Sequence, residues 1–107
     1  MSTDTLSKLA QAIRSRRAES STVSYTRQLL DAGVERCAKK FGEEAVELVI
    51  AGVSSPEESV RGEAADVLYH FLVLLEARQV PFADVLKVLD GRMAASGLAE
   101  KAARSGT

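Results

Sequence analysis

Five carboxylates form two compact groups at helical spacing, in segments whose other positions are largely apolar. The first group is Glu43, Glu44 and Glu47, and the second is Glu63 and Asp66. Burying a carboxylate without a partner is costly, so acids in such segments need compensation. A cation held between the groups would supply it, and an all-oxygen ligand set suits Mg²⁺, with Mn²⁺ as the alternative. Because Mg²⁺ keeps coordination positions for water and phosphate oxygens, the pattern indicates phosphate chemistry.

Each acidic group lies on a predicted helix, and the two helices are adjacent along the chain. The third predicted helix covers about 34–51, and the fourth ends near Arg78. Between them, Ser55 is expected to cap the fourth helix, with Pro56 at its first position and Glu58 completing a capping box. If this short loop makes the two helices antiparallel, their acidic residues face each other and converge on one spot.

The polar residues of the fourth helix follow a single line. From 64 to 75, apolar residues occur nearly all round this helix, as expected for a helix buried between neighbours. The polar line holds Ser59, Glu63, Asp66 and His70. The role of His70 stays open, because a hydrogen-bonded core residue and a functional residue both fit this position.

The third helix carries apolar residues on two sides of its acidic sector. One side is a continuous face that includes Cys37 and Phe41, and the second side holds Val46 and Ile50. A chain of 107 residues has a limited core of its own. Two apolar sides on one helix therefore predict association, and a homodimer is expected.

Two lysines immediately precede the first acidic group. Lys39 and Lys40 are suited to neutralise a polyphosphate, and Lys40 lies on the acidic sector. The first acidic group alone is typical of a solvated helix face, but the second group, on an apolar helix, favours the metal site. A di-iron bundle is disfavoured because it requires Glu-x-x-His pairs, and Val67 stands three residues before His70.

The remaining segments are also predicted to be helical. Apolar periodicity over 6–13 predicts a first helix capped by Thr3 or Asp4. Ser24 is expected to cap a second helix that ends near Gly33. A fifth helix is predicted to open at Pro81, with a break at Ser96–Gly97.

The fold class that follows is all-α: one domain, 1–107, built as a bundle of four to five helices and completed by dimerisation. Strand patterns are absent from the sequence. Hydrophobic residues make up 46% of the chain but aromatic residues only 5%, which suits close helix–helix packing.

Composition also excludes several classes of function. The net charge is −1, from 14 basic and 15 acidic residues, which does not indicate general binding to nucleic acid or to an anionic membrane. One cysteine excludes an intramolecular disulfide framework, and the longest apolar run, 67–75, is too short to span a bilayer. No secretory signal pattern is present. A soluble cytoplasmic protein is therefore predicted.

The two acidic motifs resemble the signature of the all-α nucleoside triphosphate pyrophosphohydrolases, which include the MazG-like enzymes. A closer resemblance, over nearly the whole chain, is to the phosphoribosyl-ATP pyrophosphohydrolase family. The segments that carry it are 24–26 (Ser-Tyr-Thr), 40–47 (Lys-Phe-Gly-Glu-Glu-Ala-Val-Glu), 66–75 (Asp-Val-Leu-Tyr-His-Phe-Leu-Val-Leu-Leu) and 96–101 (Ser-Gly-Leu-Ala-Glu-Lys).

This resemblance implies a Mg²⁺-dependent hydrolysis of N1-(5-phosphoribosyl)-ATP to the AMP derivative and pyrophosphate, the second step of histidine biosynthesis. The metal-binding positions that it implies are Glu44, Glu47, Glu63 and Asp66. Glu43 is then an additional carboxylate with a catalytic role, which is to orient or deprotonate water.

Substrate contacts beyond the metal are expected from Lys40, Lys39 and Tyr25. For Tyr25, helix packing explains the residue equally well.

Two other functions remain open. The first is a MazG-like house-cleaning nucleoside triphosphate pyrophosphatase with the same metal site. The second is a non-catalytic helical dimerisation module whose acids are incidental. Preference for phosphoribosyl-ATP would exclude the first, and coupled binding of Mg²⁺ and nucleotide would exclude the second.

Overall fold

A computed structural model, which describes residues 4–94 and Arg104, shows five α-helices and one short 3₁₀ turn within residues 4–94. The elements are α1 (Asp4–Ser15), the 3₁₀ turn (Arg16–Ala18), α2 (Tyr25–Ala32), α3 (Val34–Ser54), α4 (Glu57–Ala77) and α5 (Phe82–Ala94). The described residues contain no strand. The predicted all-α class is confirmed.

The ends of α2 follow directly from the sequence. The Ser24 hydroxyl accepts a hydrogen bond from the backbone N–H of Arg27 at 3.1 Å, which caps the helix as predicted. Gly33 ends α2 with a φ of 99°, a conformation that favours glycine. Because Gly33 is also the residue before α3, the two helices are joined without a loop.

The N-terminus of α4 differs from the prediction. Pro56 has extended backbone angles and occupies the cap position itself, so that the helix begins at Glu57 and Ser55 makes no capping bond. The Pro56 carbonyl accepts the backbone N–H groups of Ser59 and Val60, at 3.0 and 3.2 Å. The predicted capping box is therefore wrong by one residue. The predicted short connection between α3 and α4 is observed.

Two other predicted helix boundaries fall at the edges of the described part of the chain. Asp4 is the first residue of α1. Thr3 and the predicted break at Ser96–Gly97 lie outside the described residues. The fifth helix begins at Phe82, and the Pro81 carbonyl accepts the N–H of Asp84 at 3.0 Å.

The hydrophobic core lies at one end of the α3–α4 hairpin, where α1 and α2 pack against it. Its buried residues are Ile13, Leu29, Cys37, Leu72 and Val73. Burial raises the pKa of the Cys37 thiol, which donates a hydrogen bond to the Leu29 carbonyl at 3.2 Å. The cysteine is therefore a structural core residue.

Two arginines hold the α1–α2 connection in place next to this core through an ion pair and hydrogen bonds. Arg17 Nε lies 2.5 Å from a carboxylate oxygen of Glu76, and the same guanidinium donates to the Glu76 carbonyl at 2.8 Å. Arg27 donates to the carbonyls of Arg17 and Glu19, at 2.7 and 2.5 Å. These contacts fix the position of the α2 N-terminus, and therefore of Tyr25, against the hairpin.

The other end of the hairpin leaves apolar surface exposed. We call Val46, Val49, Ile50 and Val53 the outer face of α3; these four side chains are 58%, 65%, 58% and 84% exposed. In this half of α3, Ala51 is the buried residue. Within the described ranges, no helix combines the length and the hydropathy needed to cross a bilayer.

The end of α4 contains a strained residue that can be tested. Gln79 has a φ of 58°, in the left-handed region, and its N–H bonds to the Glu76 carbonyl at 3.0 Å. Because glycine avoids the Cβ clash in this conformation, Gln79→Gly should raise the free energy of unfolding by about 0.5–1 kcal/mol. The neighbouring control, Arg78→Gly, should lower it by about 0.5–1 kcal/mol because Arg78 is helical. Urea unfolding at equal protein concentration measures both, and a loss of stability in Gln79→Gly would contradict the strain.

Candidate metal and phosphate site

The α3–α4 hairpin brings carboxylates from both predicted groups together. One oxygen from each of Glu44, Glu63 and Asp66 lies within 4.8 Å of the others. The short connection makes α3 and α4 antiparallel, and the tilted contact of Phe41 with Phe71, at 6.4 Å between ring centres, packs the helices beyond the acids. Two groups that are separate in sequence therefore form one acidic cluster.

Glu63 is the residue that most needs a compensating cation. Its Oε1 atom is buried and accepts no hydrogen bond from any described residue. Burial raises the pKa of the Glu63 carboxyl, and the charges of Glu47, Asp66 and Glu44 raise it further. An unpaired buried oxygen facing three other carboxylates fits a hard divalent cation as the missing partner.

Glu47 lies beside the cluster. It is not one of the three residues whose oxygens approach within 4.8 Å, but its negative charge raises the pKa of Glu63. Glu47 also lines a groove of about 560 Å³ between the two helices, which continues toward the α3–α4 connection. The residues lining this groove are Glu43, Val46, Glu47, Ile50, Ala51, Ser55, Ser59 and Glu63.

Lys40 is the cation next to the acids, one helical turn toward the N-terminus of α3. Its Nζ lies 3.5 Å from Glu44 Oε2 and 3.8 Å from Glu43 Oε1. The neighbouring Tyr25 phenol raises the pKa of Lys40, burial opposes this increase, and Glu44 and Glu43 raise the pKa further. Lys40 is therefore held in its charged form at the edge of the cluster.

Lys39 is not brought to the same place. It is exposed on α3, and the ion pairs formed among the described residues do not include it. Lys40 is separated by three and four residues from Glu43 and Glu44, spacings that place side chains next to each other on a helix. Of the two predicted lysines, the structure brings Lys40 to the acids.

His70 and Tyr25 lie on the same side of the cluster as Lys40. The Tyr25 and His70 rings meet edge to face at 6.3 Å between centres, and Tyr69 contacts His70 at 4.9 Å. His70 is only 6% exposed. Burial lowers the pKa of His70, with Lys40 acting in the same direction and Glu44 and Asp66 opposing it. The sequence left the role of His70 undecided, although its place on the polar line of α4 was the available signal.

The fold and the site define an all-α protein with an opposed-carboxylate cleft suited to phosphate chemistry. A family model described as phosphoribosyl-ATP pyrophosphohydrolase matches residues 6–93. The chain belongs to this family, and the resemblance seen in the sequence is confirmed.

Curated relatives agree over nearly the full length of the chain. It is 53% identical to phosphoribosyl-ATP pyrophosphatase 1 of Bradyrhizobium diazoefficiens over 100 residues, which is 94% of each chain. It is 52% identical to a phosphoribosyl-ATP pyrophosphatase of a Ruegeria species, covering 92% of this chain and 94% of the relative. The corresponding protein of Agrobacterium fabrum is 48% identical over 97% of both chains.

The raised pKa of Glu63 predicts a stability that depends on pH. Because the folded state binds this proton more tightly than the unfolded state, stability should fall as pH rises from the ordinary carboxyl value through the raised one. Without divalent cations at neutral pH, Glu63→Gln should therefore raise the melting temperature by a few degrees. Thermal unfolding in a chelator across this pH range measures the effect.

The control for this prediction is Glu58→Gln, an exposed acid in the first turn of α4. The helix dipole favours a negative charge there, so this variant should be unchanged or slightly less stable. A melting temperature for Glu63→Gln below that of the wild type in chelator would contradict the assigned repulsion.

Proposed function

We propose that this chain hydrolyses N1-(5-phosphoribosyl)-ATP to N1-(5-phosphoribosyl)-AMP and pyrophosphate, the second step of histidine biosynthesis, in the cytoplasm. The observation that carries the proposal is the convergence of Glu44, Glu63 and Asp66 around a buried, unpaired carboxylate oxygen. Membership of the phosphoribosyl-ATP pyrophosphohydrolase family supports the substrate and the reaction.

The proposed cofactor is Mg²⁺, with Mn²⁺ as the alternative. Glu44, Glu63 and Asp66 would hold it. Glu47 lies close enough to raise the pKa of Glu63, and its carboxylate would therefore also be near the cation. When bound, Mg²⁺ polarises the phosphate oxygens and offsets the charge that develops on the leaving pyrophosphate. The chemistry of the donor set supports a hard cation, because every candidate ligand is a carboxylate oxygen.

The side chains around the cluster have separate proposed roles. Glu43, at the edge of the groove, orients the attacking water and accepts its proton. Lys40 is 3.8 Å from Glu43 and 3.5 Å from Glu44, so its ammonium can neutralise phosphate charge beside the acids. Tyr25 contributes a phenolic hydroxyl on the same side. Lys39 would contact substrate only if the substrate extends beyond the cleft.

The metal site can be tested by removing one charge from each helix. Glu44→Gln and Asp66→Asn should each reduce pyrophosphate release from phosphoribosyl-ATP by about 100-fold or more, because a lost ligand weakens the cation site. Release is measured at saturating Mg²⁺ with circular dichroism confirming the fold. The matched control is Glu35→Gln, an exposed acid in the first turn of α3, which should keep wild-type activity. A folded Asp66→Asn variant with full activity would contradict the assignment.

Substrate preference separates this function from the house-cleaning alternative. Wild-type protein should cleave phosphoribosyl-ATP far faster than ATP or deoxynucleoside triphosphates under identical Mg²⁺ conditions. Equal rates on all three substrates would instead favour a general nucleotide pyrophosphatase.

We also propose that two copies of the chain associate through the outer face of α3. Four apolar side chains on one stretch of helix form a continuous surface, and residues of this size stabilise an interface when they are removed from water. Val46 and Ile50 of this face also line the acidic groove. A second copy on this face would therefore lie beside the cleft and shield part of it from water.

Charge placed in the outer face should prevent association. Val49→Glu and Val53→Glu should convert the dimer to a monomer, because burying an unpaired carboxylate costs several kcal/mol. Sedimentation velocity at micromolar concentration measures the change. Val23→Glu, at a position 76% exposed in the loop before α2, is the control and should stay dimeric. A wild-type protein that sediments as a monomer would contradict the interface.

A further inference from the structure

His70 is a buried polar side chain without a hydrogen-bond partner in the described part of the chain. It is 6% exposed, and its ring contacts the rings of Tyr25 and Tyr69. Its ring nitrogens are not among the fully enclosed unpaired atoms, so they remain accessible to water or a ligand. Because buried polar groups almost always have partners, this imidazole is available to a hydrogen-bond acceptor from outside the described residues.

The surroundings of His70 locate that missing partner beside the acidic cluster. Asp66 lies four residues before His70 on α4, a spacing that places the two side chains next to each other, and Glu44, Asp66 and Lys40 all influence the pKa of His70. Tyr25 is about half exposed and also acts on Lys40. A ligand atom between Lys40, Tyr25 and His70 would therefore lie next to the proposed cation.

The neighbouring Tyr69 explains how the imidazole is held. The Tyr69 hydroxyl forms a hydrogen bond with the Thr26 hydroxyl, which joins α4 to the first turn of α2. Its ring packs against His70 at an interplanar angle of 77°. The Tyr69 ring therefore restricts the orientation of the His70 ring, while the Tyr69 hydroxyl is hydrogen-bonded to Thr26.

The cleft consequently has two chemically different ends. Toward the α3–α4 connection, the groove is lined by Val46, Ile50 and Ala51 with two serines. On the opposite side of the acids, the available groups are an ammonium, a phenol and an imidazole, from Lys40, Tyr25 and His70. All three can donate hydrogen bonds, since an imidazole carries a ring N–H in either protonation state.

We propose that Lys40, Tyr25 and His70 form the subsite for the leaving pyrophosphate, with a ring N–H of His70 donating to one of its non-bridging oxygens. The nucleotide half of the substrate then lies toward the groove. The assignment rests on the proposed function and follows from polarity: pyrophosphate presents charged acceptor oxygens alone, whereas the nucleotide half also carries an adenine ring that can pack on apolar side chains. Donors therefore suit pyrophosphate better than the apolar groove does.

This orientation is consistent with the balance of the reaction. The water oxygen forms a bond to the α-phosphorus, and the bond from that phosphorus to the α–β bridging oxygen breaks. Pyrophosphate leaves with the electron pair, while the water proton passes to Glu43 or solvent. The charge that develops on pyrophosphate is then adjacent to the three donors.

The proposed subsite can be tested by measuring the binding of products, which does not require turnover. Calorimetric titration with pyrophosphate in Mg²⁺ should give about 10-fold weaker binding for His70→Phe and for Tyr25→Phe, the loss expected for one hydrogen bond to a charged group. Titration with AMP in Mg²⁺ should give the wild-type affinity for both variants. Tyr25→Phe removes only the phenolic hydroxyl, so it carries the test if His70→Phe does not fold.

Tyr69→Phe is the matched structural control. It removes the hydroxyl that bonds to Thr26 but keeps the ring against His70. Its melting temperature should fall, and its pyrophosphate affinity should equal that of the wild type.

Wild-type pyrophosphate affinity in folded His70→Phe and Tyr25→Phe, or a loss of AMP affinity instead, would overturn the subsite. If the variants show the predicted split but wild-type protein does not cleave phosphoribosyl-ATP, the proposed substrate fails and the pyrophosphate subsite stands.

Discussion

Electrostatic repulsion among carboxylates on two packed helices is the constraint on which the structure depends. Glu44, Glu63 and Asp66 approach within 4.8 Å, and Glu63 has a raised pKa because it is partly removed from water beside three other acids. A protein selected for stability alone would not place these groups together. The divalent cation proposed above would offset this repulsion.

The rest of the fold holds the two acid-bearing helices in place against that repulsion. The buried core lies at one end of the hairpin, where Cys37 and Val73 pack with residues from α1 and α2. Arg17 ties the chain after α1 to Glu76 on α4, and Arg27 bonds back to the connecting loop. The acids can therefore lie close together, since their helices are fixed by contacts elsewhere.

Because the core lies at one end of the α3–α4 hairpin, the surfaces on the two sides of the cleft differ. The core end supplies Tyr25 and His70, which are positioned by α2 and by the Tyr69–Thr26 hydrogen bond. The opposite end of α3 lacks a covering helix among the described residues, and Val49 and Val53 remain exposed. One side of the acidic cluster is thus bordered by residues of α2 and α4 of the same chain, whereas the other side borders the surface proposed to meet a second copy.

Much of the fold could be predicted because helix formation depends on local sequence patterns such as apolar periodicity and capping residues. Apolar periodicity predicted α1, and Ser24 and Gly33 predicted the ends of α2 through a hydroxyl cap and a positive φ. The cap of α4 was misplaced because local statistics favour proline inside the first turn, whereas the backbone of Pro56 is extended and caps the helix itself.

The site was predictable in its residue types and only partly in its geometry. The sequence by itself determined the all-α class, the two acidic groups and the family, because helical spacing decides which side chains share a face. Only the tertiary structure decided that Glu44, Glu63 and Asp66 form the tight cluster and that Lys40 rather than Lys39 adjoins it. It also decided that His70 is buried with no hydrogen-bond partner among the described residues. The physical reason is that the axial offset between two helices and the rotamers at their contact depend on packing between distant residues, which spacing along one helix does not specify.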